Sequence, residues 1–435
     1  MKISVIGCGY LGAVHAACMT ELGHDVVGID VDPGKIALLA SGTPPFYEPG
    51  LPELLSRAMA TGRLRFSTDI SNVRGSDVHF VAVGTPQLAG SDAADVRFVM
   101  AAVASLLPYL ASGNLVVGKS TVPVGTAQQL ADIVAAHGSG ATVAWNPEFL
   151  REGFAVKDTL APDRLVYGLD EKDGRGAATL DAVYARALAR GTPKVVTDFA
   201  TAELVKVAAN AFLATKISFI NAMAEVAEAT GADVTQLADA IGYDVRIGRR
   251  FLNAGLGFGG GCLPKDIRGF MARAKELGVD QALTFLGDVD QINNRRRERM
   301  VDLAKEVVGG SLVGKRIAVL GLAFKPDSDD VRDSPALDVA RRLIESGATV
   351  LATDPQAIET ARRRYPDMNY VASAANAAAG VDAVLLLTEW REYRDLDPQA
   401  FGELVSTKAI LDGRNCLDPV AWRLAGWTYR ALGRR

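Results

Sequence analysis

Short apolar runs alternate along the first part of the chain with longer stretches of helical character. Residues 2–6 form an apolar run that leads into a glycine-rich turn, an Ala-rich helical stretch and a second apolar run at residues 26–30. This order of strand, turn, helix and strand predicts a βαβ unit. Further strands are predicted, with helical segments between several of them, at residues 77–83, 114–120, 142–146 and 164–168. Such alternation is typical of a doubly wound parallel sheet.

Glycines at the GxGxxG spacing follow the first predicted strand: Gly7, Gly9 and Gly12. In a βαβ unit they permit a tight turn, the approach of a pyrophosphate to the backbone, and close packing of helix on strand. The helix N-terminus then presents free N–H groups to the phosphates. Asp30, at the end of the second strand, is placed to bind a ribose diol, and no Arg follows it directly. These features predict a dinucleotide site that favours NAD over NADP, with a ligand-free turn as the alternative.

From Ala200 the pattern changes to long helical stretches that continue to about Arg299. No Pro or Gly occurs between Ala200 and Gly231, so the pattern predicts a helix of about 30 residues, long enough to connect two domains. Apolar residues cover much of its circumference. We therefore expect burial on several sides, including against a second subunit, while an ordinary linking helix within one chain is the alternative.

A second α/β pattern begins at Lys315. The run RIAVLG resembles KISVIG at the start of the chain, and Asp354 lies where the first copy has Asp30. The glycine motif is replaced here by GLAFK, so that Lys325 could meet a phosphate. This weak internal repeat predicts an α/β protein with two Rossmann-like doubly wound domains, joined by a central helical domain with a long connecting helix. The domains are expected at residues 1–198, 199–300 and 311–435.

Length and charge agree with a folded protein of several domains. At roughly 100–200 residues per domain, 435 residues suggest two to four. Lys and Arg number 47 and Asp and Glu 51, and the net charge of −4 argues against a nucleic-acid partner. The uncharged stretch between Arg97 and Lys119 is interrupted by Pro108. It predicts a helix ending near Leu110 and a strand at residues 115–117, and not a membrane span.

The cysteines give little sign of metal or disulfide chemistry. Cys8, Cys18, Cys262 and Cys416 lie far apart and include no CxxC pair, so no zinc or other metal site and no disulfide framework is predicted. The N-terminal apolar run is too short for an export signal. A reducing cytoplasm is the expected location, with no membrane partner.

The stretch FLNAGLGFGGGCLPKD, residues 251–266, carries the main chemical signal. Five glycines fall within residues 255–261, although glycine weakens both helix and strand. They indicate a loop that a ligand approaches closely. Cys262 follows at once, and then Lys265, which would stabilise a thiolate, and Asp266, which could accept a proton. A surface loop with an inert cysteine is the alternative.

The motifs of the chain, taken in order, resemble those of a known family. They cover essentially its whole length and are GCGYLG, GTP, STVPVGT, NPEFLREG, ELVKVAANAFLA, RIG, FGGGCLPKD, GLAFKPDSDDVRDSP and DGRN. Together they resemble the nucleotide-sugar 6-dehydrogenases of the UDP-glucose/GDP-mannose dehydrogenase family, most closely the members that oxidise UDP-glucose. The resemblance implies two NAD-dependent oxidations of the sugar 6-position at one site. A thiohemiacetal and then a thioester form on Cys262, and hydrolysis of the thioester gives the carboxylate of UDP-glucuronate.

The resemblance also implies roles for individual residues. Lys206 and Asn210 match the pair that stabilises the developing oxyanion, and their i, i+4 spacing places both on one helical face. Asp266, with Lys206 and a water, matches the group that removes the proton from the alcohol. Glu148 matches the residue that activates the hydrolytic water, and Thr121 the residue that positions water and cofactor.

The binding residues implied by the resemblance form two sets. Besides the three glycines of the GxGxxG motif, those for NAD are Tyr10, Leu11, Asp30, Lys35, Thr85, Thr121, Glu152, Lys265 and Arg332. Those for UDP-glucose are Glu148, Phe149, Leu150, Arg151, Glu152, Lys206, Asn210, Arg246, Phe251, Leu252, Asn253, Ala254, Gly255, Gly259, Phe324, Lys325 and Arg414. Arg246 matches an Arg that reaches the substrate of the neighbouring subunit, which implies a functional homodimer or a higher homo-oligomer.

Two positions depart from the family pattern, and two alternatives for the function stay open. Gly261 lies where the family often has Ser, and Gly84 lies where it often has Asn, which removes a cofactor contact. The same chemistry on GDP-mannose or a UDP-N-acetylhexosamine is one alternative. A catalytically inactive regulator that binds a nucleotide sugar is the other. The joint presence of Cys262, Lys206, Asn210 and Asp266 argues against it.

Overall fold

The computed structural model describes residues 1–170 and 174–434. Residues 171–173 of the predicted first domain and Arg435, the end of the predicted third, lie outside the described residues. The chain divides into two compact units. The first contains Met1–Ala209 and Arg268–Gly278, and the second contains Asn210–Ile267 and the chain from Val279 onward.

The first unit is built on an eight-stranded sheet with the order β3-β2-β1-β4-β5-β6-β7-β8. The strands are β1 (Lys2–Ile6), β2 (Asp25–Ile29), β3 (Leu64–Ser67), β4 (Val78–Val81), β5 (Leu115–Gly118), β6 (Thr142–Trp145), β7 (Leu165–Leu169) and β8 (Lys194–Thr197). The helices between them are α1 (Tyr10–Glu21), α2 (Pro33–Ala40), α3 (Leu51–Ala60), α4 (Arg97–Leu106), α5 (Thr126–His137), α6 (Ala155–Leu160), α7 (Gly174–Val183) and α8 (Ala185–Ala189). The strands predicted from the sequence are confirmed.

The sheet departs from the prediction in one respect, because it is not parallel throughout. β6 and β7 pair antiparallel, while the other neighbouring pairs are parallel. Successive residues of each strand point to opposite faces, so Val26 and Val27 contribute to two different apolar cores. Both faces of the sheet are therefore covered, as in a doubly wound fold.

The second unit contains four long helices and a second sheet. The helices are α9 (Phe199–Thr230), which begins in the first unit, α10 (Val234–Gly242), α11 (Leu263–Glu276), which ends in the first unit, and α12 (Phe285–Val307). The strands are β9 (Arg316–Leu320), β10 (Thr349–Thr353), β11 (Asn369–Tyr370), β12 (Ala383–Leu386), β13 (Ala409–Asp412) and β14 (Thr428–Ala431). The connecting helices are α13 (Pro335–Glu345), α14 (Ile358–Arg364), α15 (Ala374–Ala378), α16 (Arg391–Arg394), α17 (Pro398–Phe401) and α18 (Pro419–Leu424).

The internal repeat predicted from the sequence is confirmed by the order of the strands. The second sheet has the order β11-β10-β9-β12-β13-β14, which repeats the order β3-β2-β1-β4-β5-β6 of the first. All neighbouring strands of the second sheet pair in parallel. The two α/β halves are thus two copies of one topology.

The long helix predicted in the middle of the chain is confirmed as α9, which has 32 residues. In the single chain one face of the helix is buried and the opposite face exposes apolar side chains, so burial against a second subunit stays a prediction. Those side chains are Leu204, Phe212, Phe219 and Val226. By length and composition α9 is also apolar enough to cross a membrane, but its buried face carries Glu203, Lys206 and Asn210. Such polar groups are typical of a helix that is packed inside a folded protein.

Candidate active site

The turn after β1 has the geometry of a dinucleotide-binding loop. Gly7 adopts a φ of +90°, which favours glycine, and a Cβ on Gly12 would lie 1.8 Å from the carbonyl oxygen of Gly7. A Cβ on Gly9 would instead meet nothing within 4 Å. The loop thus closes tightly on itself and leaves open space beside Gly9, at the start of α1. This is the space that a pyrophosphate needs, so the residues present fit NAD.

Asp30 follows β2 and lies directly beside this loop. Its carboxylate accepts hydrogen bonds from the backbone N–H of Cys8 at 2.8 Å and of Asp32 at 3.0 Å. Lys35 forms an ion pair with it at 2.9 Å. The structure thus brings together two residues predicted to bind the cofactor. Burial and the charge of Asp30 raise the pKa of the Cys8 thiol, which makes Cys8 an inert residue of the core.

The two segments that follow β4 and β5 meet at the carboxyl edge of the sheet. The hydroxyl of Thr85 donates to the backbone oxygen of Thr121 at 2.7 Å. The hydroxyl of Ser120 donates to the backbone oxygen of Val83 at 2.6 Å. Thr85 and Thr121, both predicted to bind the cofactor, are therefore linked. Ligands of open α/β sheets bind at this edge.

The loop of residues 146–154, which carries Glu148 and Glu152, contains no helix or strand. Glu148 and Glu152 are four residues apart, but without a helical turn this spacing does not place them on one face. Glu148 instead accepts a hydrogen bond from the backbone N–H of Leu150, a local contact that competes with a helical turn. Arg151, predicted to contact the substrate, forms an ion pair with Asp158 at 2.7 Å.

Two cations lie close to the ring of Phe149, next to Glu148 in this loop. The guanidinium of Arg164 lies 3.8 Å from the ring centre, and the ammonium of Lys206 lies 5.6 Å from it. Burial raises the pKa of Glu148, and the charges of Lys119 and Lys206 oppose this shift. A carboxyl group with a raised pKa is suited to accept a proton near neutral pH.

A buried lysine behind this loop was given no role by the sequence analysis. Lys119 is 5% exposed, and its ammonium donates to the side-chain oxygen of Asn146 at 3.0 Å. The hydroxyl of Tyr184 donates to the same oxygen at 2.7 Å. Burial lowers the pKa of Lys119 to about 8, while Glu148 raises it. Lys119 directly precedes the motif STVPVGT, but the sequence of this motif does not indicate which side chains the lysine contacts.

A buried carboxylate on α9 holds the loop that carries Thr121. Glu203 accepts hydrogen bonds from the backbone N–H groups of Gly125 and Ala127, each at 2.7 Å. Arg273 donates to the backbone oxygen of Val124 in the same loop at 2.8 Å and 3.0 Å. Neither contact leaves a signal in the sequence, because both join segments far apart along the chain.

In the second unit Cys262 lies immediately before α11, with its side chain exposed. The backbone N–H of Asp266 donates to the carbonyl oxygen of Cys262 at 2.8 Å, which closes the first turn of the helix. The Asp266 carboxylate is buried and forms an ion pair with Lys265 at 2.7 Å. It also accepts from the side-chain amide of Asn210 at 2.6 Å. Three residues predicted on separate grounds, Asn210, Lys265 and Asp266, thus form one cluster beside Cys262.

The glycines before Cys262 are packed against atoms of the chain itself. A Cβ on Gly257, whose φ is +89°, would lie 2.0 Å from the side-chain oxygen of Asn293. A Cβ on Gly261 would lie 2.3 Å from the guanidinium carbon of Arg332. Asn293 is fully buried and bonds both the N–H and the carbonyl of Phe258. The prediction that a ligand approaches these glycines is therefore replaced at these positions by close internal packing.

The remaining residues predicted to contact the substrate lie at several places in the second unit. Arg414 donates to the backbone oxygens of Leu387, Gly257 and Phe324 at 2.7–3.2 Å, so it joins the glycine loop to the segment after β9. The ammonium of Lys325 lies 5.4 Å from the centre of the Phe324 ring. Gly255 donates its N–H to Asn221 at 2.9 Å.

Arg246 lies apart from these residues. Its side chain is 86% exposed and forms an ion pair with Asp244 at 2.6 Å.

Lys206 and Asn210 are one turn apart on α9, as predicted, and the division between the two units falls between them. Among residues 1–170 and 174–434 no group of three or more His, Cys, Asp and Glu side chains could hold a metal ion.

Comparison with known proteins agrees with this geometry over most of the chain. Residues 1–188 match the NAD binding domain of the UDP-glucose/GDP-mannose dehydrogenase family, residues 200–295 its central domain and residues 318–419 its UDP binding domain. The UDP-glucose 6-dehydrogenase of Rhizobium meliloti (strain 1021) is 41% identical over 437 residues, covering 100% of both chains.

Solved structures give the same result. A UDP-glucose dehydrogenase from the hyperthermophilic archaeon Pyrobaculum islandicum has a TM-score of 0.90 at 41% identity, covering 100% of this chain and 98% of that one. A UDP-D-ManNAc dehydrogenase from Pyrococcus horikoshii has a TM-score of 0.86 at 27% identity, covering 100% and 99%. The chain therefore belongs to the UDP-glucose/GDP-mannose dehydrogenase family and is an NAD-dependent oxidoreductase.

Proposed function

We propose that the protein oxidises UDP-glucose to UDP-glucuronate by two oxidations at one site. The observation that carries the proposal is the exposed Cys262 at the start of α11, next to the cluster of Asn210, Lys265 and Asp266. The thiolate is the nucleophilic form of cysteine, and a helix N-terminus and a nearby lysine both favour it. A nucleophile of this kind is needed to capture an aldehyde between two oxidations.

The overall reaction consumes UDP-glucose, two NAD⁺ and one water, and yields UDP-glucuronate, two NADH and three protons. NAD supplies the hydride acceptor for each oxidation when it is bound. The C6 alcohol first loses a proton and a hydride to become an aldehyde. Cys262 Sγ then bonds to the aldehyde carbon, and the resulting thiohemiacetal loses a proton and a hydride to become a thioester. Water adds to the thioester carbon, the C–S bond breaks, and the carboxylate and the Cys262 thiolate are released.

We assign each proposed catalytic side chain one role. Asp266 lies in the cluster beside Cys262 and takes the proton of the alcohol, with Lys206 and a water. Asn210 and Lys206 donate to the oxygen that becomes negative, as in an oxyanion hole. Glu148, whose pKa is raised by burial, accepts the proton of the hydrolytic water. Thr121 positions that water and the nicotinamide.

The choice of UDP-glucose over related sugars follows from degrees of similarity. Relatives named for UDP-glucose are 41% identical to this chain over essentially their whole length, whereas the UDP-D-ManNAc dehydrogenase is 27% identical.

We also propose a cytoplasmic location and three domains at residues 1–198, 199–300 and 311–435. The proposed assembly is a homodimer or higher homo-oligomer in which Arg246 reaches the substrate of the neighbouring subunit. The remaining residues implied to bind NAD or UDP-glucose keep those roles as proposals.

The purified protein should be given UDP-glucose, GDP-mannose and UDP-N-acetylglucosamine in separate assays, with NADH and uronate both measured. Two NADH per UDP-glucuronate are expected with UDP-glucose, and little NADH with the other two sugars. Activity with GDP-mannose alone would reassign the substrate. No NADH with any of the three sugars would favour the inactive regulator.

Replacement of Cys262 tests the covalent step. Cys262→Ala should abolish uronate formation, because no thioester can form. Cys262→Ser should lower turnover severely and leave an ester adduct that intact-protein mass spectrometry detects. Cys416→Ser is the matched control, since burial raises the pKa of the Cys416 thiol and removes it from thiolate chemistry. Unchanged double oxidation in Cys262→Ala would contradict the assignment of the nucleophile.

A further inference from the structure

Glu48 is a buried carboxylate that no sequence motif singled out. It lies between α2 and α3 and is 2% exposed. Its two oxygens accept hydrogen bonds from the backbone N–H groups of Gly153 and Ala155, each at 2.7 Å. The hydroxyl of Tyr10 donates to the same oxygen as Gly153. A buried carboxylate with three donors is held firmly, and hydrogen bonds to a charged group are the strong ones.

These contacts join two parts of the candidate site. Tyr10 is the first residue of α1 and directly follows Gly9 of the cofactor loop. Gly153 lies near the end of the 146–154 loop and directly follows Glu152. Its backbone nitrogen also lies 3.1 Å from the hydroxyl oxygen of Tyr10. Ala155 is the first residue of α6, which has no side-chain cap from its own N-cap residue. One carboxylate therefore ties the end of this irregular loop to the start of α1.

We infer that Glu48 is a positioning residue that fixes the loop of Glu148 relative to the cofactor loop. The inference rests on the proposed function, in which the catalytic role of Glu148 is in the hydrolysis of the thioester. The loop lacks helix or strand bonds of its own, so its position depends on contacts of this kind. Loss of one acceptor would leave a backbone N–H group buried without a partner, and the loop would shift to satisfy it.

A shifted loop slows the hydrolysis more than the two oxidations. The oxidations depend on Cys262 and on the residues around Asp266, none of which Glu48 contacts. The hydrolysis depends on a water held at the Glu148 carboxylate, and small errors in such positioning cost large factors in rate. The thioester should then accumulate on the enzyme.

The test is Glu48→Gln, which keeps the size of the side chain and replaces one acceptor oxygen by a donor. Rapid mixing of this variant with UDP-glucose and NAD should give a fast phase of two NADH per site, followed by a steady state at least tenfold slower than that of the unchanged enzyme. Intact-protein mass spectrometry should detect the adduct on Cys262. The KM for UDP-glucose should rise severalfold, because Phe149 to Glu152 move with the loop. Glu53→Gln, an exposed position in the first turn of α3, is the matched control and should match the unchanged enzyme.

Tyr10→Phe provides a second test if Glu48→Gln does not fold. It removes only the hydroxyl and should slow the steady state by about threefold, with a smaller adduct signal. The double variant should lose little more than Glu48→Gln alone, since both changes disrupt one cluster. The inference is overturned if Glu48→Gln turns over within twofold of the unchanged enzyme, or if the first NADH is slowed as much as the steady state. Failure of the unchanged enzyme to oxidise UDP-glucose would instead refute the proposed function.

Discussion

Gly84 is a single position at which the chain departs from its family and the structure leaves space for the missing side chain. It follows β4 at the carboxyl edge of the first sheet, and a Cβ there would meet nothing within 4 Å. Its φ lies outside the left-handed region, so the backbone accepts a side chain without strain. The absence of the Asn that is common in the family is therefore not imposed by packing.

We expect Gly84→Asn to fold normally and to bind NAD more tightly. One added hydrogen bond of about 0.5–1.5 kcal/mol corresponds to a decrease of roughly two- to tenfold in the KM for NAD, with kcat unchanged. Steady-state kinetics at varied NAD checks this. Gly174→Asn is the control, because Gly174 also has open space and a φ outside the left-handed region but lies at the start of α7. An unchanged KM for NAD in Gly84→Asn would mean that the family's Asn makes no useful contact here.

The glycines near Cys262 illustrate what single residues in a sequence can reveal. Five glycines in a short stretch predict that some group approaches the backbone closely. In the structure, other atoms do come close to the backbone at Gly257 and at Gly261. The approaching atoms belong to Asn293 and Arg332, which lie 36 and 71 residues further along the chain. A sequence pattern indicates that space is needed, but it does not identify the group that fills it. The same reason explains why Glu48 and Lys119 escaped prediction.

Glu203 caps the start of α5 from another helix. The N-cap residue of α5 is Gly125, which has no side chain to accept the first N–H groups, and the α9 carboxylate accepts them instead. Burial raises the pKa of Glu203 to about 7, although the N–H donors and Arg273 oppose the shift. The folded pKa thus lies above the ordinary value of 4.5. Such a group stabilises the folded state fully below pH 4.5, and its contribution is lost as the pH rises through 7.

We therefore expect the stability difference between the unchanged protein and Glu203→Gln to decrease from about pH 5 to about pH 8. A shift of this size corresponds to about 3 kcal/mol, at 1.36 kcal/mol per pKa unit. Thermal unfolding of both proteins across this range measures the difference. Glu276→Gln, which removes a half-exposed partner of Arg273, serves as the control for the loss of a carboxylate near this arginine. A difference for Glu203→Gln that stays constant with pH would contradict a raised pKa.

In the first sheet, the strands were predictable where the chain is buried and less so at the edges. The predicted strands of this sheet lie in its interior, where apolar runs mark them. The unpredicted β3 and β8 are edge strands, and three residues of β8 are exposed, so their sequences lack an apolar run. The direction of β7 leaves no trace in its composition, since a buried strand is apolar in either direction.

The two α/β halves share one topology and differ in the ligands they can take. In the first, Asp30 accepts two backbone N–H groups and the Lys35 ammonium. In the second, Asp354 accepts the N–H groups of Leu322, Ala323, Gln356 and Ala357, and also the indole N–H of Trp390. Five donors saturate the Asp354 carboxylate, which leaves no acceptor for the ribose diol that Asp30 is proposed to bind in the first half. The second half is therefore a different nucleotide domain, in agreement with its match to a UDP binding domain.

The exposed face of α9 gives a prediction about assembly. Phe212, Phe219 and Val226 are 67%, 49% and 53% exposed and recur every seven residues, which places them along one side of the helix. Burial of such a side chain contributes about 1.5–3 kcal/mol, so a row of them on two copies favours association through this face. The seven-residue spacing is also the repeat that allows two helices to pack along their length.

The double substitution Phe212→Glu with Phe219→Glu should leave only a monomer where the unchanged protein forms the proposed homodimer or higher oligomer, because two carboxylates would be buried without partners in each copy. Sedimentation velocity at micromolar concentration measures the masses. Val420→Glu, a substitution at a 62% exposed valine in the first turn of α18, should leave the mass unchanged. If Arg246 reaches the substrate of the neighbouring copy, the monomeric double variant should lose activity while it keeps its secondary structure. Arg246→Ala should also lose activity, but it should keep the mass of the unchanged protein. A double variant with the mass of the unchanged protein would show that α9 does not form the interface.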